Sequence, residues 1–173
     1  MATQRKCHWG WNGYVQKLTL NGLGYIKDEN PYDGAAIRFL NERVPDQPCL
    51  VEFVGEGYNS WGSRVSIFTG LPALMGWDGH VGEWVGARLG SDIRNRFDAT
   101  EQIFRTTDSH YAKRMLDAYG IRLVMVGTVE RHGVPGRKGG YPAEGLSKFQ
   151  GFLPLIYKNA EVEIYYNPPS QTN

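Results

Sequence analysis

Cysteine is scarce in this sequence, and so is any excess of one charge. Only Cys7 and Cys49 occur among 173 residues, without a partner His or Cys at zinc-finger spacing, which excludes a disulfide framework and a zinc finger. Lys and Arg number 19 against 18 Asp and Glu, a formal net charge of +1, and basic residues form only short runs. Without a basic footprint, we expect no nucleic-acid partner.

Long apolar runs are also missing. No stretch approaches the roughly 18 to 20 residues that cross a bilayer. The start, MATQRKCHWGW, lacks the apolar core of a secretory signal. We therefore expect this chain to be soluble as given, whether it is a complete protein or a fragment of a larger membrane protein.

Apolar residues are nevertheless sufficient for one core. The chain is 41% hydrophobic and 13% aromatic, which suits a single domain of this length. We place an N-terminal extension at 1–17, one domain at 18–167 and a frayed tail at 168–173.

Periodicity predicts an α/β fold with a layered, Rossmann-like sheet of about four strands. Helical spacing occurs in YDGAAIRFLNERV, SDIRNRFDATEQIF and SHYAKRMLDAYG. Strands are expected near 49–54, 121–128, 153–157 and 161–166. Strand, helical crossover and strand make the first two strands parallel, and the last two read as a C-terminal hairpin.

The stretch RVSIFTGLPALMGWDGHVGEW, residues 64–84, stands out. It holds five glycines or prolines, two tryptophans, a histidine and two carboxylates in 21 residues, which is too irregular for a helix face. It follows the 49–54 strand, and ligands of open α/β sheets sit beyond the carboxyl ends of parallel strands. We predict that it is a functional loop, ordered over that strand end.

Glu52 lies inside the apolar strand CLVEFV, where an ionised carboxylate is costly without a cation or N–H donors. Arg64 is the expected mate, within salt-bridge reach. Two interpretations remain: a structural buried pair, or a carboxylate presented for substrate or acid/base work.

Asp78, His80 and Glu83 form a D-x-H-x-x-E cluster. A metal would need a fourth ligand and a second shell. The alternatives are that His80 orients the loop by hydrogen bonding, or that it acts as a general acid/base or substrate contact.

The tryptophans and one glycine motif each allow a further interpretation. Trp61, Trp77 and Trp84 could stack on sugar rings or simply pack in the core. GEGYNS lacks the third glycine of a dinucleotide fingerprint, and we expect no cofactor.

Several motifs together resemble the C-terminal soluble part of the YYY membrane-protein family, large polytopic proteins related to glycosyltransferases that use lipid-phosphate sugars. The likeness runs from about Leu18 to Tyr166 and is most specific in RVSIFTGLP, GWDGH and VGTVER. Val81 and Val85 stand where the family usually carries Glu and Arg, with Glu83 as a candidate substitute for the Glu.

The resemblance implies a chain tethered behind transmembrane helices on the extracytoplasmic side, with those helices and a sugar or lipid-phosphate ligand as partners. Such a domain would contribute sugar or acceptor recognition and be catalytically silent alone. The alternatives are a stand-alone binding or scaffold domain, or a small metal-dependent enzyme using Asp78, His80 and Glu83. Candidate catalytic residues are Glu52, His80 and Glu83; candidate substrate-binding residues are Tyr58, Arg64, Thr69, Gly70, Trp77, Trp84 and Lys148.

Overall fold

Within the part of the chain that the structure describes, four strands form one mixed sheet in the order β1-β2-β4-β3. The computed structural model describes residues 21–55, 61–86, 90–134 and 139–169. The strands are β1 Leu50–Val51, β2 Leu123–Val126, β3 Leu155–Lys158 and β4 Glu163–Tyr166. β1 pairs parallel with β2, while β4 pairs antiparallel with both β2 and β3. This confirms the predicted α/β class, the parallel first pair and the C-terminal hairpin.

Helices fill the connections. They are α1 Gly22–Glu29, α2 Pro31–Arg43, α3 Arg64–Thr69, α4 Asp78–Val85, α5 Gly90–Arg105, α6 Ser109–Ala118, α7 Thr128–His132 and α8 Ala143–Ser147, with a 3₁₀ turn at Lys148–Gly151. Four of them, α3 to α6, form the crossover between β1 and β2. No helix within the described ranges has both the length and the apolar character to span a membrane.

Capping residues fix the starts of two helices. Asn30 accepts a hydrogen bond from the Asp33 amide at 3.2 Å, and Pro31 occupies the first turn of α2. Asp108 accepts from the amides of His110 and Tyr111 at 2.9 and 3.0 Å, which starts α6 where the sequence predicted. Both helices are therefore set by local chemistry as well as by their apolar faces.

The sheet at β1 and β2 is buried on both faces, with helices packed on each side. Val124 and Val126 of β2 face a core that includes Ile103 and Phe104 of α5 and Leu116 of α6. The alternate β2 residues, Leu123 and Met125, face a second core that includes Ile26 of α1, residues of α2 and Val65 of α3. All four β2 side chains are buried, as expected for the middle of a sheet.

β1 is shorter than the predicted 49–54 strand. Its ladder ends at Val51 because the backbone groups of Phe53 are used elsewhere. The Phe53 amide donates to the Glu130 carboxylate at 2.7 Å, and its carbonyl accepts from the Ser63 amide at 3.2 Å. The chain after β1 is therefore held by a side chain and a turn instead of a neighbouring strand.

The prediction that residues 64–84 form an irregular loop is wrong, because the stretch contains α3 and α4. α3 is only six residues long, and it begins where the Glu52 carboxylate accepts from the first helical amides. It ends at Gly70, whose φ of +74° favours glycine. The helix is thus specified by a distant carboxylate and a terminal glycine, signals that periodicity does not carry.

Candidate functional site

A single arginine is surrounded by three carboxylates beyond the carboxyl ends of β1 and β2. Arg64 begins α3, Glu52 follows β1, Asp33 lies in the first turn of α2, and Glu130 lies in α7. All four side chains are inaccessible to solvent. We call these residues the Arg64 cluster. The predicted proximity of Glu52 and Arg64 is confirmed, with 3.9 Å between Glu52 Oε2 and Arg64 Nη1.

The guanidinium makes its short contacts with the other two acids. Nη1 and Nη2 donate to the two oxygens of Glu130 at 3.1 and 2.7 Å, a forked arrangement. Nε donates to Oδ2 of Asp33. Arg64 therefore binds α2 and α7 to the end of β1, with Glu52 as its most distant partner.

Backbone and hydroxyl donors satisfy the remaining carboxylate oxygens. Glu52 accepts from the amides of Val65 and Ser66 at 2.8 and 2.9 Å. Glu130 accepts from the Gly127 amide at 2.8 Å as well as from Phe53. Asp33 accepts from the Thr128 amide and hydroxyl at 3.2 and 3.1 Å. Every acid in the cluster is hydrogen-bonded, as buried charges must be.

Burial and neighbouring charges shift the pKa values of Glu52 and Arg64. Burial raises the pKa of Glu52 to about 7, against the opposing effects of Arg64 and the two amides. Burial alone would lower the pKa of Arg64, but Glu130 and Asp33 outweigh it and the pKa rises. Arg64 therefore stays charged while Glu52 titrates near neutral pH. Because it is buried and joins α2, α3 and α7 to the end of β1, the Arg64 cluster stabilises the fold.

The absence of a side chain at Gly127 leaves room for the Arg64 cluster. A Cβ at this position would lie 2.7 Å from Nη2 of Arg64 and 2.8 Å from Oδ1 of Asp33. Real Cβ atoms do not approach neighbours so closely, so any side chain here displaces the guanidinium. The glycine of VGTVER is required by packing against Arg64.

Three aromatic side chains line up along α4, and we call Trp77, His80 and Trp84 the aromatic row. The His80 ring lies 6.0 Å from Trp77 and 5.9 Å from Trp84, both edge-on. Trp84 Nε1 donates to His80 Nε2 at 3.0 Å, so the proton of a neutral His80 sits on Nδ1. Trp77 is half-buried and donates from Nε1 to the Gly62 carbonyl at 3.2 Å, whereas Trp84 is 80% exposed.

The remaining α4 candidates lie around this row. Glu83 is exposed to solvent. The Asp78 side chain and the whole of Tyr58 lie outside the described residues. Within the described part of the chain, no group of three His, Cys, Asp or Glu side chains could hold a metal ion.

Thr69 and Lys148 hold backbone groups at helix ends. The Thr69 hydroxyl donates to the Val65 carbonyl at 2.6 Å and accepts from the Leu71 amide at 3.1 Å. Lys148 Nζ donates to the carbonyls of Ile103, at 2.6 Å, and Gly145, in the last turns of α5 and α8. Burial lowers the pKa of Lys148 to about 8. Cations are favoured at helix C-termini, so this lysine stabilises two helix ends.

Sequence reasoning missed two members of the Arg64 cluster. Asp33 was not singled out as a site residue in the sequence, although its carboxylate binds Arg64. Glu130 lies three residues after Gly127, the spacing at which a helix N-terminal carboxylate reaches back to a backbone amide. That spacing was a usable signal, but the long-range pairing with Arg64 was not visible in the sequence.

Comparisons with known proteins give no relative. A scan of protein-family models finds no match, and searches of curated proteins and of solved structures find none either.

Proposed function

We propose that this chain is the extracytoplasmic domain of a membrane glycosyltransferase-like protein, and that it contributes sugar or acceptor recognition without catalysing transfer alone. The motifs RVSIFTGLP, GWDGH and VGTVER support the parent class by resemblance. Two of them form parts of α3 and α4, and the third forms the end of β2 and the start of α7. RVSIFTGLP and VGTVER are joined by the contact between Arg64 and Glu130, and Trp77 of GWDGH donates to the carbonyl of Gly62, two residues before Arg64.

The aromatic row carries the proposal. Trp84 exposes 80% of its surface, yet its indole N–H is fixed on His80. A flat apolar face with an oriented polar edge suits a sugar ring, which presents C–H groups on one face and hydroxyls at its rim. We infer that Trp84 stacks on the sugar and that His80 sets the orientation of the indole.

The Arg64 cluster argues against catalysis by Glu52. Its side chain is inaccessible to solvent, and both carboxylate oxygens accept backbone N–H groups. A general acid or base must come within hydrogen-bond reach of a substrate proton, or be one water away. Glu52 has no such access in this arrangement. The transmembrane helices of the parent protein would then supply the catalytic groups.

A titration calorimetry experiment tests the proposal with three soluble probes: a short-chain isoprenyl-phosphate sugar, the same isoprenyl phosphate without sugar, and the methyl glycoside. We expect the two sugar-containing probes to bind and the bare isoprenyl phosphate not to. Trp84→Ala should weaken sugar binding at least about tenfold, equivalent to about 1.4 kcal/mol. Tyr32→Ala, which removes another aromatic side chain that is 44% exposed, is the matched control and should bind normally.

Two outcomes would contradict the proposal. Equal sugar binding by native protein and Trp84→Ala would remove the aromatic row from recognition. Sugar transfer by the isolated domain, abolished in Glu52→Gln or His80→Ala, would show that the catalytic groups are within these residues.

A further inference from the structure

The structure has a cavity of about 570 Å³ at the amino-terminal edge of the sheet, the edge opposite the Arg64 cluster. β1 and β2 begin at this edge, and α2 ends there. Antiparallel β4 brings its carboxyl end to the same place, since Tyr166 pairs with Leu123. The volume lies in the range of about 300 to 1,000 Å³ typical of small-molecule sites.

The cavity walls are mainly apolar. Phe39 on α2, Ile156 on β3 and Tyr166 on β4 line it, together with the 44–48 connection, which contains Pro45 and Pro48. Phe39 also packs on Tyr157, with ring centroids 4.8 Å apart, which helps to fix that wall. Such walls suit the apolar body of a ligand.

Two arginines also line the cavity. Arg43 comes from the last turn of α2, and Arg122 immediately precedes β2. Among the described residues, neither side chain has a hydrogen bond or an ion pair. This contrasts with Arg64, whose guanidinium is held by three acids. Arg43 and Arg122 are therefore free to bind an external anion, and guanidinium forks match phosphate and carboxylate oxygens.

Two features oppose the binding of an anion and limit its expected affinity. Asp46 lines the cavity and brings the formal charge of its side chains to +1, from two arginines and one aspartate. The carbonyl end of α2 also carries partial negative charge. Arg43 lies in that last turn and offsets the helix end. We expect modest affinity that depends on salt, because Arg43 is solvent-exposed.

We propose that this cavity binds a small amphiphile that joins a phosphate or carboxylate to a planar or branched apolar group. The oxyanion lies between Arg43 and Arg122, and the apolar group lies against Phe39, Ile156 and Tyr166. The site is separate from the aromatic row and does not depend on the proposed sugar recognition.

Four probes test the proposal by calorimetry on the full chain: 2-naphthyl phosphate, 2-naphthoate, neutral 2-naphthol and inorganic phosphate. We expect both naphthyl anions to bind, and naphthol and inorganic phosphate to bind at least about tenfold more weakly. The ratio of the two anions distinguishes a phosphate ligand from a carboxylate ligand. Raising the salt concentration should weaken the binding of the two naphthyl anions and leave the binding of naphthol unchanged.

Variants give opposite predictions within one cavity. Arg122→Gln and Arg43→Gln should each weaken the binding of naphthyl phosphate by about fivefold to tenfold. Asp46→Asn should strengthen that binding by about twofold. Arg38→Gln, another α2 arginine that does not line the cavity, is the control and should have no effect. Naphthol binding as tight as naphthyl phosphate, or equal losses in Arg38→Gln and Arg122→Gln, would overturn the proposal. So would the absence of measurable binding by either anion.

Discussion

Replacing Arg64 by alanine should be among the most destabilising single changes in this domain. The substitution removes the only cation from the Arg64 cluster and leaves Asp33, Glu52 and Glu130 buried together. Breaking one buried ion pair by removing a partner costs about 3 to 5 kcal/mol. Here the guanidinium forms hydrogen bonds with two acids and lies 3.9 Å from the third, so we expect a loss of about 4 kcal/mol or more. A domain of this size has a total stability of about 5 to 15 kcal/mol.

Urea denaturation followed by far-UV circular dichroism measures this loss. Arg64→Lys keeps the charge but loses the fork to Glu130, so it should fall between native protein and Arg64→Ala. The graded variant keeps the test usable if Arg64→Ala does not fold. Arg131→Ala is the matched control: this arginine donates to Glu163 at 2.9 Å but its side chain is 32% exposed. The control should lose at most about 1 kcal/mol.

An Arg64→Ala protein within about 1 kcal/mol of native at pH 7, indistinguishable from Arg131→Ala, would refute the view that the cluster stabilises the fold.

Three further predictions concern stability. Gly127→Ala should lower the free energy of unfolding by about 1 to 3 kcal/mol, because its Cβ would lie 2.7 Å from the Arg64 guanidinium. Gly82→Ala is the control and should not destabilise the domain, because the space around Gly82 is open. Urea denaturation midpoints compare the two variants. The raised pKa of Glu52 means that the folded state holds an extra proton between pH 4.5 and about 7, so its contribution to the free energy of unfolding should fall by about 3 kcal/mol as pH rises through that window. Unfolding measured across that range should show this slope in native protein and not in Glu52→Gln, and parallel curves would contradict it. Lys148→Met should cost about 1 to 2 kcal/mol through lost bonds to the ends of α5 and α8, with sugar affinity unchanged; a calorimetric loss of affinity would instead make Lys148 a ligand contact.

Local signals explain why much of the fold could be predicted. The apolar run that includes β2 and the capping residue of α6 are both short-range features, and both elements occur where expected. The terminal hairpin was equally local: Asn159 accepts from the amides of Glu161 and Val162 and closes the turn. Parallel pairing of β1 and β2 followed from the long crossover between them.

What could not be predicted depends on distant partners. The first turn of α3 donates backbone hydrogen bonds to the carboxylate of Glu52, which lies twelve residues before Arg64. Sequence periodicity does not predict that contact. The pairing of Arg64 with Asp33 and Glu130 spans 31 and 66 positions. The cavity arginines, Arg43 and Arg122, come from separate elements that only the sheet topology brings together. Pairwise contacts of this range need the folded structure.

We propose that recognition takes place at the aromatic row and that the Arg64 cluster is structural. A ¹H–¹⁵N correlation spectrum observes both at once, through the indole N–H of Trp84 and the Nε–H of Arg64. During titration with the isoprenyl-phosphate sugar, we predict a progressive shift of the Trp84 signal, while the Arg64 signal and the amides of Val65 and Ser66 stay in place. Shifts of the Arg64 and Val65 signals with the Trp84 signal unmoved would place the ligand at the Arg64 cluster and exclude recognition at the aromatic row.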